Sequence, residues 1–99
     1  MNIKNETVVF TGALITMSRK QAQALVLSLG GKIQKNISKS TTILVVGNLQ
    51  GDLFTEKVSS KKIETAIKIN DKQDSIKIID GKTFFSLIKD NLYLLHSNL

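Results

Sequence analysis

Hydrophobic and β-branched residues recur along the chain in four short runs, separated by polar or amphipathic stretches. Short runs of this kind, bounded by glycine or polar residues, are typical of β-strands. The third run is apolar at nearly every position, which indicates a strand buried on both faces, as in a parallel sheet. The four runs are Thr7–Thr11, Lys32–Gln34, Thr42–Val46 and Ile76–Ile79.

Three amphipathic stretches between and after these runs predict helices. Ser18 and Gln21 form the capping-box pattern of a first helix, which we expect to end at Gly30-Gly31. Ser60 is the predicted N-cap of the second helix, and Asp80 that of the third. The apolar stripes expected to face the sheet are Ala22, Leu25, Val26 and Leu29, then Ile63, Ala66 and Ile67, then Phe84, Leu87 and Ile88.

The resulting element order, β-α-β-β-α-β-α, predicts the topology. Residues 35–41 alone join the second strand to the third, too few for the crossover that parallel neighbours need. Placing the first strand between them gives a four-stranded parallel sheet in the order 2-1-3-4. Right-handed crossovers then place the first helix on one face and the second on the other. We therefore predict an α/β fold in which three helices flank this sheet.

The length of 99 residues predicts a single domain, residues 1–99, with a core over about 7–90. For the tail, 91–99, the pattern is consistent with either a longer last helix or a frayed end. There is no cysteine, which excludes disulfides and thiolate metal sites. His96 is the single histidine, and no carboxylate pair has a spacing suited to acid–base catalysis. We expect no cofactor, no metal and no enzymatic activity.

The net charge of the chain indicates the chemistry of its partner. Fourteen Lys and Arg residues against eight Asp and Glu give a formal net charge of +6, which favours an anionic partner. No apolar run approaches the ~20 residues that span a bilayer. The first six residues lack the apolar stretch of a signal peptide. We expect a cytoplasmic monomer without membrane association.

A candidate anion site lies where the first and third strands are predicted to end, because ligands of open α/β sheets bind at such a topological switch point. Thr11 and Gly12 follow the first strand, and Arg19 and Lys61 begin the first and second helices. A hydroxyl, a glycine amide and two cations suit a phosphate group. These residues are equally typical of a turn and of solvated helix starts. However, a cation at a helix N-terminus is mildly unfavourable. The occurrence of such cations at the starts of both helices therefore favours the anion site.

Several motifs carry a resemblance to a known family. They are Val8-Val9-Phe10-Thr11-Gly12, Leu29-Gly30-Gly31, Ser38-Lys39-Ser40-Thr41 and Ser59-Ser60-Lys61. In this order and spacing they resemble a BRCT domain over residues 7 to about 90. The similarity is greatest to BRCT domains of bacterial NAD-dependent DNA ligases, of exonucleases associated with bacterial DNA polymerase III, and of the large clamp-loader subunit.

The resemblance implies a non-catalytic module that binds a DNA end carrying a 5′-phosphate. Thr11 and Gly12 would hold phosphate oxygens, and Arg19 and Lys61 would pair with the phosphate. Many single BRCT domains instead dock a protein partner in a repair assembly, and this alternative stays open. So does the question whether the chain is free-standing or a piece of a ligase or exonuclease. Lys32, Lys35 and Lys39 either extend a DNA footprint or only protect an edge strand from pairing.

The chain departs from the family pattern in two ways. It has no tryptophan in the last predicted helix, where Phe84 or Phe85 takes that region, which argues against the paired, phosphopeptide-binding type. The loop 48–59 is also longer than in the ligases, and it holds Asp52 and Glu56. Two carboxylates near the predicted site would weaken DNA binding.

Overall fold

The computed structural model describes residues 2–47 and 56–97. Strands and helices alternate in the predicted order. The elements are β1 (Thr7–Thr11), α1 (Arg19–Ser28), β2 (Lys32–Ile33), β3 (Ile43–Val46), α2 (Glu56–Gln73), β4 (Lys77–Asp80) and α3 (Gly81–Ser97).

The strands form one four-stranded sheet in the order β2-β1-β3-β4, and every neighbouring pair is parallel. This confirms the predicted topology. Thr11 is paired with Val46, and Val46 with Asp80. The carboxyl ends of β1, β3 and β4 are therefore aligned at one edge of the sheet.

The sheet is covered on both faces. Leu44 and Val45 are both fully buried, and they belong to different core clusters because successive side chains of a strand point to opposite faces. Leu44 packs with Ala66 of α2, whereas Val45 packs with residues of α1 and α3. On the face covered by α1 and α3, the rings of Phe10 and Phe84 meet edge to face with centroids 5.3 Å apart.

The predicted caps of α1 and α3 are confirmed. The backbone N–H of Gln21 donates to the Ser18 hydroxyl, and the Gln21 side chain accepts from the Ser18 backbone. The Asp80 carboxylate accepts from the backbone N–H of Thr83 at 2.7 Å. These contacts satisfy N–H groups that the first turn of a helix leaves without an intrahelical partner.

The predicted start of α2 is wrong. The helix begins at Glu56, so Ser60 lies inside it and is not its N-cap. Residues 56–60 contain no glycine or proline, and adding a residue to an existing helix costs little once the helix has been nucleated. The predicted stripe also needs correction, because Ile67 is 48% exposed. Ile63 and Ala66 do face the core, and Ile69 continues this face in place of Ile67.

The last helix continues through the predicted tail to Ser97, so the tail extends α3. Asn91 is buried within it, where its side-chain oxygen accepts from the Ile3 backbone N–H at 2.9 Å. Its amide nitrogen donates to the Leu87 carbonyl at 2.7 Å. Ile3 is itself fully buried. Ile3 belongs to the core although it lies before the predicted core of about 7–90, and an isolated apolar residue of this kind forms no recognisable sequence pattern.

Candidate phosphate-binding site

The candidate site is built on the turn that leaves β1. Thr11 is buried at the end of the strand, and its carbonyl accepts from the Gly47 N–H at 2.7 Å. Gly12 follows with a φ of 77°, a left-handed conformation that costs glycine little and other residues more. The chain can therefore turn sharply at the end of β1 and still reach the N-terminus of α1.

Arg19 is the first residue of α1, and its side chain folds back over this turn. The guanidinium Nη2 donates to the Gly12 carbonyl at 2.6 Å, while the side chain stays exposed to solvent. A guanidinium has five N–H donors, and this contact uses one of them. Arg19 is thus held at the end of β1, and four of its N–H donors take no part in this contact.

Lys62, in α2, reaches the same strand from the other face of the sheet. Its Nζ donates to the Phe10 carbonyl at 3.0 Å, and the side chain is partly buried. Burial lowers the pKa of the Lys62 ammonium group, and the positive charges of Arg19 and Lys35 lower it further. Three cations therefore act on one another at the carboxyl edge of the sheet.

Lys62 was not among the residues predicted for the site, but it is the α2 lysine that contacts β1. Lys61, which was predicted instead, lies five residues after the start of α2 and is exposed. Successive residues of a helix point about 100° apart, so Lys61 and Lys62 do not share a direction. A signal was present in the sequence, because Lys62 precedes the core residue Ala66 by four positions and therefore lies on its face of the helix.

The three lysines considered for a wider footprint are divided between the two edges of the sheet. Lys35 follows the carboxyl end of β2, and its charge acts on Lys62. Lys32 pairs with Thr7 at the amino end of β1, which is ~13 Å from Thr11 at the usual rise of a strand. The Lys39 carbonyl accepts from Gln73 at the end of α2. Only Lys35 of these three lies on the same edge as Arg19.

A carboxylate also lies at this edge within the described residues. Asp80 ends β4, and hydrogen bonds from Thr83 lower the pKa of its carboxyl group. Asp52 and the side chain of Glu56 lie outside the described residues, so the predicted effect of these two carboxylates on DNA binding stays a prediction. Within the described ranges, no group of three or more His, Asp or Glu side chains could hold a metal ion. Cations and backbone donors of this kind can bind an oxyanion.

Comparison with known protein families identifies the family of this chain. The model of the BRCA1 C Terminus (BRCT) domain matches residues 2–88. The chain belongs to the BRCT family. The three helices and the parallel sheet in the order 2-1-3-4 are those of the BRCT α/β fold.

The relatives of this BRCT domain include bacterial DNA ligases. It is 34% identical over 88 residues to a DNA ligase of Anaplasma marginale (strain Florida), a match covering 89% of this chain and 11% of the ligase. It is 37% identical over 87 residues to a DNA ligase of Coprothermobacter proteolyticus, covering 88% of this chain and 11% of the ligase. The chain thus spans about one tenth of the length of these relatives. No helix in the described part of the BRCT domain combines the length and apolar character needed to cross a bilayer.

Proposed function

We propose that this BRCT domain is a non-catalytic module of DNA replication or repair that binds DNA ends carrying a 5′-phosphate. One observation carries the proposal. Arg19 and Lys62 donate to the carbonyls of Gly12 and Phe10, the two residues that flank Thr11. Two cations from different helices are thereby held on either side of one strand end, at the topological switch point of the sheet.

The electrostatics favour a doubly charged anion. The groups that lower the pKa of Lys62 include two further cations, Arg19 and Lys35. A phosphomonoester carries a charge of about −1.5 to −2 at neutral pH, because its second pKa is ~6. It can therefore neutralise more of this cluster than an internal phosphodiester, which carries one charge. This difference supports a terminal phosphate over the middle of a duplex.

The proposal is tested by comparing two blunt duplexes that differ only in a 5′-phosphate or a 5′-hydroxyl. Hydrogen bonds to a charged group contribute ~1.5–3 kcal/mol each at best, and desolvation offsets part of this. We expect the phosphorylated duplex to bind roughly tenfold more tightly, about 1.4 kcal/mol. Arg19→Ala should remove most of this preference. Lys39→Ala, which removes a cation from the opposite edge of the sheet, is the matched control and should preserve it.

Salt dependence gives a second readout. Each neutralised phosphate releases counterions, and a site this small reaches few phosphates, so affinity should fall with only a shallow slope as salt increases. Equal affinity for the two duplexes, or no DNA binding at low salt, would refute the proposal.

A protein-docking function is the second candidate, and the surface of α3 favours it. Exposed apolar side chains are concentrated in the last turns of the helix, and Leu92 and Leu95, three residues apart, lie on one side of it. If the 5′-phosphate makes no difference to affinity, this surface becomes the leading candidate interface within a cytoplasmic replication or repair assembly. The residues are Leu92, Tyr93, Leu94 and Leu95, each between 46% and 70% exposed.

A further inference from the structure

A groove of about 610 Å³ opens at the same edge of the sheet as the phosphate site. It lies between the segment that follows Gly12 and the first turns of α3, on the face covered by α1 and α3. Its volume falls within the ~300–1,000 Å³ of typical small-ligand sites. The apolar side chains that line it are Leu14, Ile15, Met17, Phe84 and Phe85.

We propose that this groove receives the terminal base of the DNA strand whose 5′-phosphate is held by Gly12, Arg19 and Lys62. The inference rests on the proposed function and adds the part of the DNA end that lies next to the phosphate. It assigns Ile15 and Phe85, which are outside the phosphate site, to DNA binding.

The reach of the chain supports this placement. Ile15 lies three positions after Gly12, and an extended chain covers at most ~11 Å over that distance. The groove wall therefore starts within ~11 Å of Gly12. The 5′-phosphate and the base of a terminal nucleotide share one ribose, so both can be bound at once.

The exposure of the lining side chains supports an apolar, flat occupant. Ile15 is 83% exposed and Phe85 is 47% exposed, and both line the same groove. Bases stack on aromatic side chains with little dependence on base identity, because every base presents a π-face. The base at the end of a duplex exposes one π-face even while it remains paired, because no further base pair stacks on it. The ligand that fits both sites is therefore anionic at one end and flat and apolar at the other.

The charges at the groove complete the argument. Lys82 lies on its rim, where it can attract the phosphate of the following nucleotide. Asp80 also lines the groove, and its negative charge offsets that of Lys82. The neighbouring phosphate site adds Arg19 and Lys62. The charge around the groove is thus complementary to a nucleic acid strand.

Three duplexes that share one sequence test the inference with the full chain. The first carries a 5′-phosphate and an intact terminal base pair. The second carries the 5′-phosphate on an abasic terminal nucleotide, and the third has the intact base pair with a 5′-hydroxyl. We expect the abasic end to bind about five- to tenfold more weakly than the intact phosphorylated end.

Ile15→Ser and Phe85→Ser should each reduce the difference between intact and abasic ends while the 5′-phosphate preference remains. Leu27→Ser is the matched control, because Leu27 is an exposed apolar residue of α1, 58% accessible, that does not line the groove. It should bind all three duplexes as the unmodified protein does. Thermal melts of each variant establish that the fold is retained.

The outcomes separate the two proposals. Equal binding of intact and abasic ends, together with a preserved 5′-phosphate preference, overturns the groove assignment and leaves the phosphate site in place. Loss of the 5′-phosphate preference in the unmodified protein overturns the phosphate site, and this inference with it. A phosphoserine peptide that displaces the duplex, and does so less well from Phe85→Ser, assigns the groove to a protein ligand and also overturns the inference.

Discussion

The substitution Lys62→Ala tests the site most directly, because Lys61 is a matched control one residue away. Lys62 donates to the Phe10 carbonyl at 3.0 Å and lies near Arg19, whose charge lowers its pKa. Lys61 carries the same charge on the same helix but is exposed and points elsewhere. Removing either residue changes the net charge by the same amount, so the two variants separate position from overall charge.

The expected magnitudes differ enough to be measured. A hydrogen bond between an ammonium group and a phosphate contributes ~1.5–3 kcal/mol. Lys62 is only partly buried, so we take the lower value, which corresponds to about a tenfold loss of affinity for the 5′-phosphorylated duplex. Lys61 would act only through water, where two charges ~8 Å apart interact by ~0.5 kcal/mol, about a twofold effect.

Fluorescence anisotropy with 5′-phosphorylated and 5′-hydroxyl duplexes provides the measurement. Lys62→Ala should abolish the difference between the two duplexes, and Lys61→Ala should retain it. Both variants should melt close to the unmodified protein, because in Lys62→Ala the lost contact with Phe10 is offset by weaker repulsion of Arg19. The reasoning fails if Lys61→Ala abolishes the preference while Lys62→Ala retains it.

Two further predictions concern the core and the pH dependence of binding. Leu44→Ala removes a fully buried side chain and should lower the free energy of unfolding by ~2–5 kcal/mol in urea denaturation; an unchanged midpoint would show that β3 is not central to the core. The lowered pKa of Lys62 means that its charge is lost as pH rises through a value below 10.5. The 5′-phosphate preference should therefore decline in alkaline solution, since the phosphate itself stays doubly charged above pH ~6. Lys62→Arg keeps its charge and should keep the preference; the same decline in that variant would show that Lys62 is not the titrating group.

Rising pH should affect the stability of the fold and the binding of phosphate in opposite directions. The pKa of Lys62 is lower in the folded protein than in the unfolded chain, so the charged form costs stability in the fold. This cost is relieved as pH rises through the folded-state pKa. Alkaline pH should thus weaken phosphate binding at Lys62 while slightly favouring the fold around it.

The fold could be predicted because several local signals point to the same arrangement. The run Thr42–Val46 is too apolar for a strand with one exposed face, and residues 35–41 are too few for a parallel crossover. The short link excludes β2 and β3 as neighbours, and the prediction that β1 lies between them is confirmed. Ser18 and Asp80 mark the starts of α1 and α3 because their side chains cap free N–H groups.

Which lysine of α2 contacts β1 could not be predicted in the same way. Ser60 resembles an N-cap, but the capping preference of one serine does not stop a helix that already extends from Glu56. A start of α2 after Ser60 makes Lys61 a first-turn residue and gives no reason to expect the contact of Lys62 with β1. The choice between two adjacent lysines depends on which direction the helix faces, and that is set by the packing of Ala66 against the sheet.

The three lysines considered for a wider DNA footprint also show that residues close in sequence need not lie close together in the fold. Lys32, Lys35 and Lys39 lie within eight residues of one another. However, β2 runs from the amino edge to the carboxyl edge of a parallel sheet, and the link to β3 must return to the amino edge. Lys35 lies near the turn of this path, and the other two lie toward its ends. Closeness in sequence therefore does not place these lysines at one site.

The two carbonyl contacts also bear on how tightly the site can bind. Holding a long side chain in place on binding costs ~0.5–1.5 kcal/mol of lost freedom. Arg19 and Lys62 are already held by the carbonyls of Gly12 and Phe10, so part of this cost is met when the protein folds. Each contact uses one donor, which leaves four on a guanidinium and two on an ammonium group for phosphate oxygens. In the proposed site, a phosphate would bind without breaking either contact, so the two contacts would preorganise the end of β1 for an anion.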